Sequence, residues 1–274
     1  MSRVEITPAE FRIHMMDILQ DMHRFCEEKG LRYYLSYGSL LGAVRHKGYI
    51  PWDDDIDIWM PRPDYERFCK EYDHPYYKVL SAWTDKNYPL DFPKVHDIRT
   101  KVEEEGGDGD WGVFVDIFIL DGIHSPEEGV KMMKKVAFYR SMAANQRFTR
   151  KFKIGRRTGF KKSCMALIGK IVHPFVSLQH ILQAEDKFIS RNDYESCPYV
   201  SSLVDYKYQV FLPKEALDPF VVLPFEDRSF WCPADSAKAL TETFGPNYMT
   251  PPPMEKRYSV HASYAYWKDD SPSV

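Results

Sequence analysis

The chain has 274 residues, 44% of them hydrophobic and 28% charged, with a formal net charge of −3 at pH 7. This is the composition of an ordinary globular protein, and the small net charge excludes binding of a partner through overall charge alone. The five cysteines are scattered and form no Cys-x-x-Cys pair, which argues against a disulfide framework or a zinc knuckle. No signal-peptide core and no run of ~18 apolar residues is found, so we expect a cytoplasmic protein.

The predicted elements alternate between helices and strands. Thr7, Pro8 and Glu10 predict a capped helix start, and Gly30 predicts the end of that helix. A Gly-Ser turn at Gly38 is expected to lead into a short helix. Strands are expected at 31–36, 53–60, 77–82, 92–102 and 113–120, and further helices at 63–72 and 233–244.

Three aspartates occupy alternate positions at the start of the predicted strand 53–60. Because successive side chains of a strand point to opposite faces, Asp53, Asp55 and Asp57 should share one face. Asp54 should then point to the other face. Carboxylates this close repel one another, and a divalent cation with oxygen ligands is the simplest compensation. The pattern therefore predicts a metal site.

A further aspartate, Asp116, interrupts the almost wholly apolar strand 113–120. A lone charge is costly to bury there, so either the strand is misassigned, or Asp116 caps a neighbouring helix, or it shares a metal with Asp55 and Asp57. The shared metal is the favoured interpretation, and Asp116 could also accept the proton of an attacking hydroxyl. Two divalent ions held in this way suit phosphoryl transfer. Asp121, just beyond the strand, is expected in a turn.

The residues around the aspartates also suit a phosphate. Gly38 and Ser39 would present backbone N–H groups and a hydroxyl at a helix start, and Arg45 and Lys47 could neutralise transferred charge. An EF-hand calcium loop is disfavoured because Ile58 stands where that loop requires glycine. A Ser-His-Asp hydrolase is disfavoured because no G-x-S-x-G elbow is present.

The middle of the chain is strongly basic. No Asp or Glu occurs from Gly129 to Ala184, whereas thirteen Lys and Arg residues fall between Lys131 and Lys170. A solvated helical face is the ordinary explanation of such a run, but here we favour an anionic partner. Lipid headgroups or a phosphate-bearing glycan carrier rank above nucleic acid, for which there is no motif. We therefore expect residues 131–170 to contact an anionic membrane surface, at the inner face of the cell membrane.

Three stretches carry a family resemblance. The sequence Tyr-Gly-Ser-Leu-Leu-Gly-Ala-Val-Arg-His-Lys-Gly-Tyr-Ile-Pro-Trp-Asp-Asp-Asp-Ile-Asp-Ile, residues 37–58, resembles the LicD family, the bacterial phosphorylcholine transferases related to fukutin. Val-Asp-Ile-Phe-Ile-Leu-Asp at 115–121 is similar to the second motif of the family. Residues 244–257, together with His261, resemble its C-terminal motif. The basic middle of the chain matches no motif.

The resemblance implies a nucleotidyltransferase-like fold and transfer of phosphorylcholine, or a related phospho-alcohol group, from a CDP-linked donor to a glycan. Carried over by position, it implies Asp55, Asp57 and Asp116 as metal ligands. Asp53 would be either an auxiliary ligand or a residue behind the ligands. The extended segment 248–257 could lie against the main site or form a surface tail. The substrate-binding candidates are Gly38, Ser39, Arg45, Lys47, Lys94, Arg257 and His261.

We thus predict an α/β (α+β) nucleotidyltransferase-like core, a mixed β-sheet flanked by helices, in residues 1–124. A basic helical segment follows at 125–200, and a C-terminal extension at 201–274 packs back on the core. The expected reaction uses two Mg²⁺ or Mn²⁺ ions and moves phosphorylcholine from CDP-choline to a hydroxyl of a cell-surface or lipid-linked glycan, releasing CMP. The alternatives are a nucleotidyltransferase that uses a nucleoside triphosphate and a non-catalytic metal- or glycan-binding protein.

Overall fold

The fold is built on a mixed sheet with helices packed around it. The computed structural model describes residues 4–103, 110–151, 176–205, 207–257 and 264–268, without the side chains of 145–151. The helices are α1 Pro8–Lys29, α2 Tyr37–Arg45, α3 Arg62–Glu71, α4 Pro126–Lys151, α5 Leu178–Ile189 and α6 Ser236–Phe244. The strands are β1 Val4–Ile6, β2 Tyr34–Leu35, β3 Asp57–Pro61, β4 Tyr77–Leu80, β5 Lys94–Asp97, β6 Thr100–Glu103, β7 Phe114–Ile123, β8 Tyr199–Ser201, β9 Leu212–Pro213, β10 Val221–Phe225, β11 Arg228–Cys232 and β12 Tyr264–Trp267.

The main sheet has seven strands in the order β2-β3-β7-β5-β4, with β8 added along β7 and β9 paired to β8. Strands β3 and β7 are parallel, and the other pairs are antiparallel. A second sheet joins β1, β12 and β6, and β10 and β11 form a hairpin. This architecture confirms the predicted mixed sheet flanked by helices.

Helix α1 begins and ends where its sequence signals predict. The Glu10 N–H donates to the Thr7 hydroxyl at 3.3 Å, and the Glu10 carboxylate accepts from the Thr7 N–H at 2.8 Å. These two bonds form the predicted capping box. Gly30 ends the helix with a left-handed φ of 61°, a conformation that glycine adopts without a steric penalty.

The predicted strand 92–102 is wrong as one element. A turn divides it into β5 and β6, and the two strands belong to different sheets. The turn is held by Arg99, whose N–H and guanidinium both donate to the Asp97 carboxylate, at 2.9 Å and 2.6 Å. Side-chain bonds of this local kind compete with a continuous strand. The apolar pattern alone does not reveal them, and it therefore suggested one element.

The prediction for Asp121 is also wrong. This residue lies inside β7, is 1% exposed, and accepts two hydrogen bonds from the guanidinium of Arg62 at 2.7 Å and 3.0 Å. Arg62 also donates to Asp186 of α5, at 2.8 Å. A buried carboxylate is tolerated here because a charged, bidentate partner from α3 faces it.

One main hydrophobic core combines residues from both ends of the chain. It includes Leu19 of α1, Ile58 of β3, Phe230 of β11 and Leu240 of α6. Helices α4 and α5 pack on each other in a smaller cluster around Ala143. The division of the chain near residues 124 and 200 stays a prediction, and 152–175 of the predicted basic segment lie outside the described residues.

Within the described part of the chain, none of the helices combines the length and the apolarity that crossing a membrane would require.

Candidate active site

Two aspartates face each other at the centre of the main sheet. Strands β3 and β7 run parallel in a register that pairs Asp57 with Asp116, and these residues are 9% and 7% exposed. The Asp57 N–H donates to the Ser39 hydroxyl at 2.9 Å, and the Asp116 N–H donates to the Ile56 carbonyl at 2.9 Å. The backbones of both aspartates are therefore fixed by hydrogen bonds that do not involve their carboxylates.

The other three aspartates precede β3 in an irregular loop. One oxygen from each of Asp53, Asp54 and Asp55 lies within 4.8 Å of the others. The expectation that Asp54 points away is therefore wrong, because the alternation of faces applies only within a strand and β3 begins later, at Asp57. The guanidinium of Arg12 holds this loop through the Asp53 carbonyl, at 2.6 Å.

Asp53, Asp55, Asp57 and Asp116 line one cavity of about 810 Å³. The cavity also reaches elements that lie far away in the sequence, including α4, the segment after β8 and the segment after α6. Its aromatic lining residues are Tyr37, Trp52, Phe92, Phe118, Tyr208, Phe244 and Tyr248. A concave, largely apolar space with a few convergent charged groups is typical of a small-molecule site.

The carboxylates in this cavity are crowded enough to disturb their own ionisation. Burial, followed by the charges of Asp55 and Asp54, raises the pKa of Asp53 to about 8. Burial and the charges of Asp55 and Asp116 raise the pKa of Asp57 as well. A divalent cation would relieve this repulsion. The oxygens of Asp53, Asp54 and Asp55 lie within 4.8 Å of one another, and carboxylate oxygens are the ligands that Mg²⁺ and Mn²⁺ take, so this acidic loop fits such an ion. Asp57 and Asp116 line the same cavity as Asp53 and Asp55.

Gly38 lies in the first turn of α2, directly against the acidic loop. A Cβ atom at this position would lie 2.4 Å from the Asp53 Oδ2 atom, so glycine is needed for the carboxylate to come this close. Ser39, the next residue, is 4% exposed, and its hydroxyl is the acceptor for the Asp57 N–H. In this structure, Gly38 lines the cavity and Ser39 anchors β3.

The predicted cations occupy three different environments. Arg45 lines the cavity and donates to the Tyr248 carbonyl at 2.7 Å. Lys47 is exposed and does not line the cavity. Lys94 is 3% exposed, donates to Asp116 Oδ1 at 2.5 Å, and places its ammonium 3.5 Å from the ring centre of Phe114.

The C-terminal candidates are only partly described. The Arg257 guanidinium lies 5.0 Å from the ring centre of Trp52 and donates to the Pro252 carbonyl at 2.8 Å. Both Trp52 and Pro252 line the cavity, so the 244–257 segment passes along its edge. His261 lies outside the described residues.

Four charged residues of the cavity were missed by sequence reasoning: Asp91, Arg140, Asp205 and Lys207. Arg140 of α4 donates to Asp91 at 2.8 Å, and the Lys207 ammonium lies 4.7 Å from the ring centre of Tyr208. Arg140 belongs to the basic run, but nothing in the local sequence separates it from its solvent-facing neighbours. Its position follows from the packing of α4.

Comparison with known proteins identifies the family of the chain. Lipopolysaccharide cholinephosphotransferase LicD of Haemophilus influenzae is 31% identical over 270 residues, which cover 96% of this chain and 98% of that protein. The chain belongs to the LicD family. The family described as LicD/FKTN/FKRP, nucleotidyltransferase domain, matches residues 30–154. Ribitol 5-phosphate transferase FKRP of Homo sapiens is 59% identical over 32 residues, 12% of this chain and 6% of FKRP.

The LicD domain contains α2, β3, β5 and β7, and therefore all of the predicted metal-site aspartates. Membership of the family makes the chain a transferase. Asp205, Lys207 and the 244–257 segment lie outside the matched domain, yet they line or border the same cavity. In this LicD-family member, the site is thus completed by residues that follow the domain in sequence.

Proposed function

We propose that this enzyme transfers phosphorylcholine, or a related phospho-alcohol group, from a CDP-linked donor to a hydroxyl of a cell-surface or lipid-linked glycan precursor. The observation that carries the proposal is the meeting of Asp53, Asp55, Asp57 and Asp116 in one cavity of the LicD domain. The match to the Haemophilus cholinephosphotransferase over 96% of the chain supports the choice of reaction.

In the proposed reaction, the glycan hydroxyl oxygen forms a bond to the phosphorus that bears the choline. The bond between that phosphorus and the bridging oxygen of the diphosphate breaks, and CMP leaves with the electron pair. The hydroxyl proton passes to a carboxylate, for which we assign Asp116 because it lines the cavity at the end of the pairing between β3 and β7.

The aspartates would also hold the metal. In our proposal, Asp53, Asp55, Asp57 and Asp116 hold two Mg²⁺ or Mn²⁺ ions, which supply positive charge to the donor diphosphate. Lys94 fixes the orientation of Asp116 through their 2.5 Å bond.

Other residues that line the cavity suit the rest of the donor. Lys207 is one of them, and its positive charge would attract a diphosphate, whereas the charge of Arg140 is paired with Asp91. The rings of Phe92 and Phe118 stack with centres 4.9 Å apart. Aromatic faces of this kind bind nucleobases and quaternary ammonium groups, and we assign the cytosine and choline parts of the donor to them.

A donor panel tests this proposal. The purified protein is incubated with Mg²⁺, a glycan precursor extract and CDP-choline, CDP-ethanolamine, CDP-ribitol or CDP-glycerol in turn, and CMP is quantified. We expect acceptor-dependent release of CMP from one of these donors. Release of pyrophosphate from CTP would instead indicate a nucleotidyltransferase. Binding of metal or glycan without turnover of any donor would indicate a non-catalytic protein.

The basic segment supplies the proposed contact with a membrane. On the described part of α4, Lys131, Lys134, Lys135 and Phe138 are all exposed, and spacings of three and four residues place them along one side of a helix. Cationic side chains around an exposed aromatic ring suit an anionic lipid surface. Vesicle sedimentation tests this contact at low salt. Equal binding to neutral and anionic vesicles would contradict it.

A further inference from the structure

One arginine lines the cavity, and a second lies at its edge, over the ring of Trp52. Arg45 is the last residue of α2, and Arg257 lies in the segment that borders the cavity after α6. Arg45 donates to the Tyr248 carbonyl and Arg257 to the Pro252 carbonyl, and both acceptor residues line the cavity. Burial, followed by the positive charge of Arg257, lowers the pKa of Arg45. Within the described ranges, neither guanidinium is paired with a carboxylate, and both donate to backbone carbonyls instead.

This arrangement favours a bound anion. Two like charges held near each other repel, and their mutual repulsion adds to the cost of partly burying Arg45. The carbonyls of Tyr248 and Pro252 fix the directions of the guanidiniums but carry no compensating charge. An oxyanion bound between them would supply that charge, and arginine binds oxyanions through paired N–H donors.

Arg45 and the acidic loop lie at opposite ends of helix α2. Gly38, in the first turn of α2, contacts Asp53, whereas Arg45 follows seven residues later in the same helix. A rise of 1.5 Å per residue separates these two positions by roughly 10 Å along the helix axis. In the proposed function, the donor diphosphate lies at the aspartates, which leaves the two arginines for an acidic group elsewhere on the substrates.

We propose that Arg45 and Arg257 bind an acidic group on the glycan acceptor, so that the acceptor is a phosphate- or carboxylate-bearing saccharide. This inference rests on the proposed function, because it takes the donor diphosphate to lie at the aspartates. Trp52 connects the two ends, since it directly precedes Asp53 and its ring contacts Arg257. Its ring lines the cavity and offers an apolar face for the sugar between the acidic group and the reacting hydroxyl.

Binding of defined saccharides tests the proposal without turnover. N-acetylglucosamine 1-phosphate, glucuronic acid and the uncharged methyl N-acetylglucosaminide are titrated into the full-length protein by ligand-observed NMR. Hydrogen bonds to charged groups contribute about 1.5–3 kcal/mol each, so we expect at least one charged saccharide to bind about tenfold or more tightly than the uncharged one. The phosphate and carboxylate probes distinguish the two kinds of acidic group.

Three variants complete the test. Arg45→Gln and Arg257→Gln should each weaken binding of the charged saccharide about tenfold or more and leave that of the uncharged sugar unchanged. Lys256→Gln is the matched control, because it removes an exposed cation next to Arg257, and it should change neither. Arg257→Gln decides the matter if Arg45→Gln does not fold, since Arg45 also ties α2 to Tyr248.

Three results would overturn the proposal. One is equal binding of charged and uncharged saccharides to the wild type, and another is no measurable binding of either charged probe. The third is a loss of CDP-choline affinity in the arginine variants as large as the loss of saccharide affinity, which would assign the arginines to the donor. Failure of the proposed function is separate from these results, since the wild type would then turn over no CDP-linked donor while still binding the charged saccharide.

Discussion

Lys94 and Asp116 form a buried ion pair across adjacent antiparallel strands, with Nζ and Oδ1 2.5 Å apart and the two residues 3% and 7% exposed. Strand β7 thereby presents to the cavity a carboxylate that is compensated from within the sheet. The same ion pair thus stabilises the sheet and orients Asp116 in the candidate active site.

Removing the lysine of this pair should therefore affect both stability and activity. Lys94→Met leaves Asp116 without its buried partner, and breaking a buried pair from one side costs about 3–5 kcal/mol. We expect a decrease of that order in the free energy of unfolding, measured by urea denaturation, together with loss of CMP release. A change below about 1 kcal/mol would show that Asp116 finds another partner or takes up a proton at little cost.

A methyl group at Gly38 should disturb the site more than the fold. The Cβ of Gly38→Ala would lie 2.4 Å from the Asp53 Oδ2 atom and would displace that carboxylate. Because alanine favours a helix, stability should hardly fall, whereas CMP release should fall about tenfold or more. Gly30→Ala is the matched control. Gly30 has a left-handed φ of 61°, and no atom lies within 4 Å of the Cβ that alanine would add. The substitution should therefore cost about 1 kcal/mol of stability through backbone strain and leave activity intact.

Replacement of Asp57 by Asn should abolish turnover and leave the protein folded. The carboxylate is buried and is repelled by Asp55 and Asp116, so its neutralisation should raise the melting temperature of the metal-free protein. Mg²⁺ at about 100 times its Kd should stabilise the wild type by about 2.7 kcal/mol, and Asp57→Asn by clearly less. Thermal melts with Mg²⁺ and with EDTA, run beside CMP assays, measure all three effects. Retained activity in this variant would contradict the proposed site.

His96 should make the stability of the protein sensitive to acid. Its pKa is lowered from 6.5 to about 4, first by burial and next by the positive charge of Lys268, and its Nδ1 accepts the Gly112 N–H at 3.1 Å. Between pH 6.5 and 4, the unfolded chain binds a proton that the folded state excludes. The contribution of His96 is thus fully present above pH 6.5 and is lost as the pH falls towards 4.

The variant His96→Asn tests this dependence. Its side-chain oxygen can accept the same N–H but does not titrate in this range. The wild type should lose about 3 kcal/mol relative to the variant between pH 7 and pH 4, as measured by urea denaturation at a series of pH values. Parallel pH profiles for the two proteins would show that His96 is not the group responsible.

Local sequence rules predicted the elements whose causes are local. The Thr7 capping box and the left-handed Gly30 define α1 because each depends on atoms within a few residues. The apolar run around Asp116 likewise predicted a buried strand, since hydrophobic patterning identifies a strand whatever its partner is. Two predictions that were wrong, the continuous strand 92–102 and the turn at Asp121, failed where a charged partner decided the local structure. The orientation of Asp54 was wrong because β3 begins only at Asp57.

The sequence by itself determined the LicD family, the mixed α/β fold and the acidic residues from which the candidate site is built, because these depend on residue type and short spacing. Only the tertiary structure decided that Asp57 and Asp116 lie side by side, that Lys94 is bonded to Asp116, and that Arg140 of the basic run lines the cavity. Those facts depend on strand register and helix packing. Both arise from burial of apolar surface between segments far apart in the chain, which no local pattern encodes.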